Sequence, residues 1–292
     1  MPSPVPKFKS QELAGRAVDL RALEEESLID AEVAFNEFNA KLQSLCIQAT
    51  DLKTIGIAKL KVSDPLDWFI QSHYLFKSNS LFHRHYDQWR MQKIRKVLEV
   101  FPGEFEGLKI LELGGGLGDI GAFFASLGAE VLSLEGRRIN QRFASIKHRK
   151  VPGFKSVICN LEEDFTQFGK FDLILNFGLM EVIRHIDNVM HCCSEMSDRV
   201  FVETMVMDSS DPEMILYVKM DPSLDDNPMS GFSSRPSPFM IEKFFEDRGF
   251  RTQRLFDSDL NTDYGTSHIY DWTHKNDDEV LDKYRRFWYF TR

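Results

Sequence analysis

Two acids and a cluster of glycines lie close together in the middle of the chain and could together bind a nucleoside. Glu112 lies two residues before Gly114, which begins a run in which Gly114, Gly116 and Gly118 alternate, and Glu135 follows Gly114 by 21 residues. Glycines allow the backbone to turn sharply between a strand and a helix. A carboxylate at the end of the next strand can accept hydrogen bonds from both hydroxyls of a ribose. The spacing therefore predicts a nucleoside site at this turn.

The elements needed to position these groups are present in the sequence. Short apolar runs predict strands at 109–113 and 129–134, and small and apolar residues at helical spacing predict a helix over 119–127. A strand, a glycine-rich turn, a helix and a second strand form the unit that binds nucleosides in doubly wound α/β folds. We therefore expect the two acids to meet at one edge of a parallel sheet.

The glycine spacing fits two classes of cofactor. Counted from Gly116, the residues Gly118 and Gly121 complete G-x-G-x-x-G, in which a pyrophosphate rests on the helix N-terminus, so spacing does not exclude NAD. Glu112 and Asp119 argue against NAD, because both are acids placed where the pyrophosphate would lie. A ligand that carries an ammonium group suits such a site better.

The run from Glu112 to Gly118 matches, residue by residue, the first motif E/D-x-G-x-G-x-G of the class I S-adenosylmethionine (SAM) dependent methyltransferases. The chain resembles this family over about 108–254. The resemblance implies an α/β fold with a doubly wound, seven-stranded, mostly parallel sheet, the Rossmann-like methyltransferase fold. The sequence of this chain adds to that fold an α-helical N-terminal extension and an insert after strand five. It also implies SAM as cofactor and S-adenosylhomocysteine (SAH) as product.

The resemblance further implies which residues would hold the cofactor. The glycine turn would lie under its methionine part, the acid after the second strand would hold the ribose, and the guanidinium of Arg90 would pair with its carboxylate. The third strand is expected at 156–160, and the amide oxygen of Asn160 at its end would contact the adenine amino group. The segment 171–180 resembles the fourth motif, in which a strand ends beside the transferable methyl group, here at Asn176 and Phe177. The implied cofactor-binding residues are Glu112, Gly114, Gly115, Gly116, Gly118, Asp119, Glu135, Gly136, Asn160, Leu161, Asn176, Phe177 and Arg90.

The fourth motif departs from the family at one position, because Val182 stands where many relatives have a histidine. A role of that histidine is therefore not carried over to this chain. Proton acceptors would have to come from elsewhere, and the candidate catalytic bases are Glu181, Glu203 and His268. Glu203 lies near the end of the strand predicted at 199–206, where a buried acid needs a partner.

The first part of the chain is predicted to be a helical N-terminal extension or cap that covers residues 1–100. Apolar residues recur at helical spacing across 11–49, which also makes a homodimer through these helices possible. In the resembling family the segment just before the first strand commonly closes over cofactor and acceptor. His83 and Tyr86 are therefore candidate substrate-binding residues.

The second part, residues 101–292, is the predicted SAM-binding domain. About thirty residues follow the fifth strand, and we expect this insert, at about 208–235, to form a strand or hairpin that acts as a lid over the acceptor. Arg235, at its end, is a further candidate substrate-binding residue. After it we expect strand six at 250–256 and closing strands at 268–272 and 286–290.

Composition limits the classes of partner. With 42% hydrophobic and 28% charged residues, the chain has the composition of a soluble globular protein, and a cytoplasmic location without a membrane partner is expected. A net charge of -9 argues against nucleic acid, whose phosphates are bound by Lys and Arg. Basic clusters at 84–96 and 137–150 read most simply as solvated helix faces. Four scattered cysteines predict neither a metal site nor a disulfide framework.

The leading hypothesis is a methyltransferase that moves the methyl group of SAM to an oxygen or nitrogen atom by direct displacement. A small or medium-sized acceptor is favoured, such as a sugar, a metabolite or a natural-product intermediate. A methyltransferase acting on tRNA or another nucleic acid, and a catalytically inactive SAM-binding partner subunit, remain as alternatives.

Overall fold

The computed structural model describes residues 85–207, 209–222, 228–261, 268–272 and 284–292, with the backbone alone at 85–88, 139 and 259. The helices predicted across 11–49, the homodimer that they would form and His83 lie outside the described residues. Tyr86 lies in a described helix, but its side chain is outside the description.

Five helices and nine strands are formed by the described residues. The helices are α1 (His85–Val100), α2 (Asp119–Ser126), α3 (Arg138–Lys147), α4 (Ile186–Met196) and α5 (Pro238–Glu246). The strands are β1 (Lys109–Leu113), β2 (Glu130–Glu135), β3 (Phe154–Ile158), β4 (Leu173–Phe177), β5 (Arg199–Met205), β6 (Ile215–Lys219), β7 (Phe232–Pro236), β8 (Arg251–Leu255) and β9 (Arg285–Thr291). Single 3₁₀ turns lie at Thr166–Phe168, Met180–Val182 and Ser258–Leu260.

Seven strands form one sheet in the order β3-β2-β1-β4-β5-β9-β8. The pairs among β1 to β5 are parallel, and β9 runs antiparallel to both β5 and β8. This confirms the predicted doubly wound, mostly parallel, seven-stranded sheet. Leu113 is paired with Leu134 on one side and with Asn176 on the other, so β1, β2 and β4 end at the same edge.

Apolar side chains cover both faces of this sheet, as parallel strands require. Helix α1 packs on one face, where Ile94 and Val97 are fully buried in a cluster with Ile110 and Phe201. Helix α4 packs on the other face, where Val189 is fully buried in the second cluster. The predicted domain boundary at residue 100 assigns α1 to the extension, whereas α1 shares a core with the sheet.

The insert after β5 contains a hairpin, as expected, in which β6 and β7 pair antiparallel. Helix α5 follows at once, and the hydroxyl of Ser237 caps it by accepting a hydrogen bond from the N–H of Phe239 at 3.2 Å. None of the described helices is long and apolar enough to cross a membrane.

Two predicted strands differ from the structure. The strand expected at 156–160 is β3, which begins and ends two residues earlier, so Asn160 follows the strand. The prediction of a strand at 268–272 is wrong, because these residues form an isolated bridge between Ile269 and Tyr284 and no strand. Strands β5 and β8 already occupy both edges of β9, and the N–H of Tyr270 donates to Asn261 Oδ1 at 2.8 Å. Neither edge of β9 is left for this segment to join.

Candidate functional site

A cavity of about 430 Å³ opens at the edge where β1, β2 and β4 end. It extends from Glu135 at the end of β2, across the glycine turn after β1, to Phe177 at the end of β4. Ligands of doubly wound sheets bind at this edge, beyond the carboxyl ends of the strands. The cavity is therefore the candidate site.

The turn between β1 and α2 requires glycine at several of its positions. Gly116 and Gly118 have φ angles of 55° and 74°, in the left-handed region that favours glycine. A Cβ at Gly115 would collide with the Ser133 hydroxyl, and one at Gly118 would lie 2.6 Å from the Phe154 ring. The turn is thus packed tightly onto β2 and β3, and its backbone forms the floor of the cavity.

Glu112 lies beneath this turn and supports it. Its Oε1 accepts a hydrogen bond from the N–H of Gly121 at 3.0 Å, and the Ser133 hydroxyl lies beside the carboxylate. Burial raises the pKa of Glu112 to about 7, despite these hydrogen bonds, which favour the ionised form. Glu112 therefore connects β1 to the start of α2 and carries only part of a charge near neutral pH.

Glu135 lines the other end of the cavity and is tied to the same turn. Its Oε2 accepts from the N–H of Gly116 and its Oε1 from the N–H of Arg137, both at 2.8 Å. Burial raises the pKa of Glu135 against the effect of these backbone donors. Each carboxylate oxygen has a second lone pair, so Glu135 can still accept hydrogen bonds from two ligand hydroxyls.

Asp119 begins α2 and is almost fully buried among cations. It forms an ion pair with Lys147, and it lies 3.4 Å from His148 Nε2 and 3.6 Å from Arg90 Nη1. Burial alone would raise the pKa of Asp119, but Lys147, His148 and Arg90 together outweigh it and hold that pKa well below its usual range. The charge of Asp119 is thus balanced by neighbouring cations. Asp119 would therefore repel a bound pyrophosphate less than the sequence indicates.

Beneath the Phe177 end of the cavity lies a buried group of charges, which we call the ionic cluster: Lys93, Glu181, Glu203 and Arg285. Glu203 is completely buried and accepts hydrogen bonds from Arg285, from Lys93 Nζ at 2.6 Å and from the Tyr270 hydroxyl at 2.8 Å. Burial works to raise the pKa of Glu203, but the charges of Arg285 and Lys93 leave it below its ordinary value. The predicted need of this acid for a partner is confirmed.

Glu181 is the member of the ionic cluster that lies in the 3₁₀ turn after β4, and it lines the cavity. Its two carboxylate oxygens accept from Nη1 and Nη2 of Arg285 at 2.8 and 2.7 Å, which is the bidentate geometry of a strong ion pair. The N–H of Met205 also donates to it, at 2.9 Å. Arg285 therefore bridges the two acids that sequence analysis considers as bases.

Sequence analysis missed Lys93 and Trp89, which both line the cavity from α1. The ammonium of Lys93 lies 3.4 Å from the centroid of the Trp89 ring and 5.6 Å from that of Phe177. Residues four apart share a helix face, so the Trp89–Lys93 spacing in the helix predicted before β1 was the available signal. Arg90, which sequence analysis did select, lines the cavity beside them.

Most of the predicted cofactor residues line the cavity, and two of them do not. The cavity is lined by Glu112, Gly114, Gly115, Gly116, Asp119, Glu135, Gly136, Asn160, Leu161, Phe177 and Arg90. Gly118 and Asn176 do not line it. Side chains alternate along a strand, so Phe177 faces the cavity whereas Asn176 is buried on the opposite side of β4, near Cys193.

Several catalytic and substrate candidates also lie away from the cavity. Glu203 lies behind Lys93, and His268 packs on the Trp89 ring with 5.0 Å between ring centroids. Arg235 is buried in the hairpin, where it donates to the Ser233 hydroxyl and the Ser234 carbonyl. Among the catalytic and substrate candidates whose side chains are described, Glu181 alone lines the cavity.

The tip of the hairpin insert reaches the cavity at its Glu135 end. Pro228, Met229 and Ser230 line it, and the Met229 methyl group lies so close to Gly136 that a Cβ there would come within 2.9 Å. The described part of the insert therefore covers the Glu135 end of the cavity. The predicted lid over the acceptor stays a prediction. Among the described residues, no group of three or more His, Cys, Asp and Glu side chains is arranged to hold a metal ion.

No family model and no curated protein matches the chain. Among solved structures it is similar to the N-terminal domain of EvdMO1 with SAH bound, with a TM-score of 0.53 and 21% identity over 69% of this chain and 79% of that one. The same domain in the presence of SAH and D-fucose gives a TM-score of 0.54 and 21% identity over 70% and 83%. These likenesses show a shared fold, in agreement with the predicted Rossmann-like methyltransferase fold.

Proposed function

We propose that the chain is a SAM-dependent methyltransferase that acts on an oxygen or nitrogen atom of a small or medium-sized acceptor. The observation that carries the proposal is the single cavity that joins Glu135, a ribose-binding acid by position, to the group of Phe177, Lys93 and Trp89. A nucleoside with an attached amino acid would span these two ends across the glycine turn.

The groups along the cavity suit the parts of SAM in order. Glu135 offers acceptors for the ribose hydroxyls, and Asn160 and Leu161 lie beyond the end of β3 beside the adenine position. The glycine turn would lie under the methionine part, and Arg90 supplies a cation for its carboxylate. The EvdMO1 domain, which shares this fold, has a structure with SAH bound, and this supports the same cofactor here.

The acceptor would occupy the end lined by Trp89, Lys93, Phe177 and Glu181. Methyl transfer by direct displacement needs the acceptor atom aligned opposite the departing sulfur, so positioning and fixed charges supply most of the acceleration. A pocket that combines two aromatic rings with charged groups suits a discrete small molecule. The EvdMO1 structure obtained in the presence of D-fucose supports sugars as one class to examine.

Two features weigh against a nucleic-acid acceptor. The net charge is -9, and part of each basic cluster is internal. Lys93 and Lys96 are buried in the first cluster, and Lys147 and His148 in the second. The reading of these clusters as solvated helix faces is therefore wrong for those residues. They are also not available to neutralise phosphates.

Calorimetric titration with SAM, SAH and NAD in parallel tests the proposal. We expect micromolar binding of both adenosyl compounds and none of NAD. The NAD titration is informative, because the balanced charge of Asp119 weakens the electrostatic repulsion of a pyrophosphate at the glycine turn. Failure of both SAM and SAH to bind would contradict the proposal. Positive binding would be followed by transfer of a labelled methyl group to panels of hydroxyl and amine acceptors.

A further inference from the structure

Lys93 is the cation of the ionic cluster that lines the cavity. Arg285 alone bonds both oxygens of Glu181 and donates to both oxygens of Glu203. Burying a further ammonium costs several kcal/mol before its interactions are counted, and Lys93 retains only 3% of its surface. Arg285 thus satisfies the oxygens of both acids, whereas Lys93 supplies the second positive charge of the cluster and places it at the wall of the cavity.

The surroundings of Lys93 are those of a group that exchanges a proton. Its ammonium contacts Glu203 on one side and the Trp89 ring on another, and the cavity lies on the side towards Phe177. An amine with one charged partner, one aromatic face and one open side can bind a third group there.

We propose that Lys93 accepts the proton of a hydroxyl group on the acceptor, so that the site methylates oxygen. This inference rests on the proposed function and narrows its acceptor class. A hydroxyl is a weak nucleophile until its proton is removed, whereas a neutral amine carries its own lone pair and needs no base. Placing a base beside the methyl position is therefore expected for an oxygen acceptor.

The step balances as a single displacement. The acceptor oxygen attacks the methyl carbon of SAM, the O–C bond forms and the S–C bond breaks. The electron pair of that bond stays on sulfur, which gives neutral SAH. The hydroxyl proton passes to the Lys93 amine, which becomes an ammonium held by Glu203 and the Trp89 ring, and is later released to solvent.

The charges around Lys93 favour this exchange. Glu203 on β5 and Glu181 after β4 attract a proton to Lys93, and Arg285 on β9 opposes one. Tyr270 donates to Glu203, and Arg90 on the same helix lines the cavity and is paired with Asp119. Burial is the largest influence and lowers the pKa of Lys93 to about 8. Half of the amine is thus neutral near pH 8, and its ammonium form has a carboxylate partner in Glu203.

The test measures proton uptake when an oxyanion binds to the SAH complex. The probe is 4-nitrophenolate at pH 9, one unit above the pKa of about 8, where Lys93 is mostly neutral. Calorimetry in two buffers with different ionisation enthalpies gives the number of protons exchanged. We expect the wild-type complex to take up close to one proton per probe bound, because the oxyanion pairs with Lys93 in its charged form.

Three variants make the result specific. Lys93→Arg stays charged, so it should bind the probe without proton uptake. Lys93→Met should lose at least about tenfold in probe affinity, since an opposite charge is removed. Lys96→Met is the matched control, because Lys96 lies on the same helix, pairs with Glu99 and Asp257 and does not line the cavity. It should behave as wild type.

The inference is overturned if the wild-type complex takes up no proton, or if uptake persists in Lys93→Arg. Titration of each variant with SAH beforehand shows that its cavity is intact. If SAH fails to bind the wild-type protein, the proposed function fails instead, so the two failures are distinguishable.

Discussion

Replacing the acid at the end of β2 should separate cofactor binding from folding. In Glu135→Ala, the carboxylate that would hold the ribose is lost. The N–H groups of Gly116 and Arg137, now each 2.8 Å from a carboxylate oxygen, also lose their acceptor. The first loss acts only when a nucleoside is bound, whereas the second acts in the free protein.

The two losses differ in size. Charged hydrogen bonds to the ribose hydroxyls are worth about 1 to 3 kcal/mol, which raises the dissociation constant of SAH by a factor of about 5 to 150. The N–H groups border an open cavity where water can replace the carboxylate, so the free energy of unfolding should fall by only about 1 kcal/mol. Cofactor affinity should therefore change more than stability.

Calorimetric titration with SAH, together with urea unfolding of the free protein, measures both effects. Glu130→Ala is the matched control, because Glu130 is an exposed acid at the other end of the same strand. It should leave the SAH affinity unchanged. Wild-type affinity in Glu135→Ala, or an equal loss in Glu130→Ala, would refute the placement of the ribose at Glu135.

Three further outcomes are expected. In urea unfolding, Gly118→Ala should destabilise the fold by about 2 kcal/mol more than Gly107→Ala. Both glycines have φ near 75°, but a Cβ at Gly118 would lie 2.6 Å from Phe154, whereas one at Gly107 meets nothing within 4 Å. Equal losses of stability in the two variants would contradict this reasoning. The folded protein keeps a proton on Glu112 up to about pH 7, which the unfolded chain releases near pH 4.5, so the free energy of unfolding should fall as pH rises between these values. Glu112→Gln should flatten that dependence, and an unchanged slope would mean that this carboxyl ionises normally. Met229 is 55% exposed and lines the cavity, so its side chain should slow the release of SAH. Met229→Ala should speed SAH dissociation about three- to tenfold in stopped-flow measurements and leave the stability of the fold unchanged. An unchanged dissociation rate would place the hairpin tip away from the cofactor.

The parts of the site that sequence analysis found are those built from neighbouring residues. Glu112, the glycine turn and Glu135 all lie within one strand–helix–strand unit, and the type and spacing of its residues determine how the backbone turns. Asn176 shows the limit of this reasoning. The end of β4 was predicted correctly, but which of two adjacent side chains faces the ligand depends on the phase of the strand against its neighbours.

Errors in the later strands have a different origin. The segment at 268–272 has the composition of a strand, but whether it joins a sheet depends on a free edge. The edge of β9 that this segment could have joined is occupied by β8, which comes from an earlier part of the chain. Local preference is overridden by the topology of the whole sheet.

The acceptor end could not be predicted, because its charges come from segments far apart in sequence. Glu181 and Arg285 are 104 residues apart, and Lys93 precedes both. They meet because β9 inserts antiparallel beside β5, which brings Arg285 opposite Met205 and next to the turn after β4. The same insertion places a permanent cation between two buried acids, and Lys93 on α1 supplies the second positive charge from the side of the cavity. The antiparallel strand of the sheet thus sets the charge balance on which the proposed proton transfer at Lys93 depends.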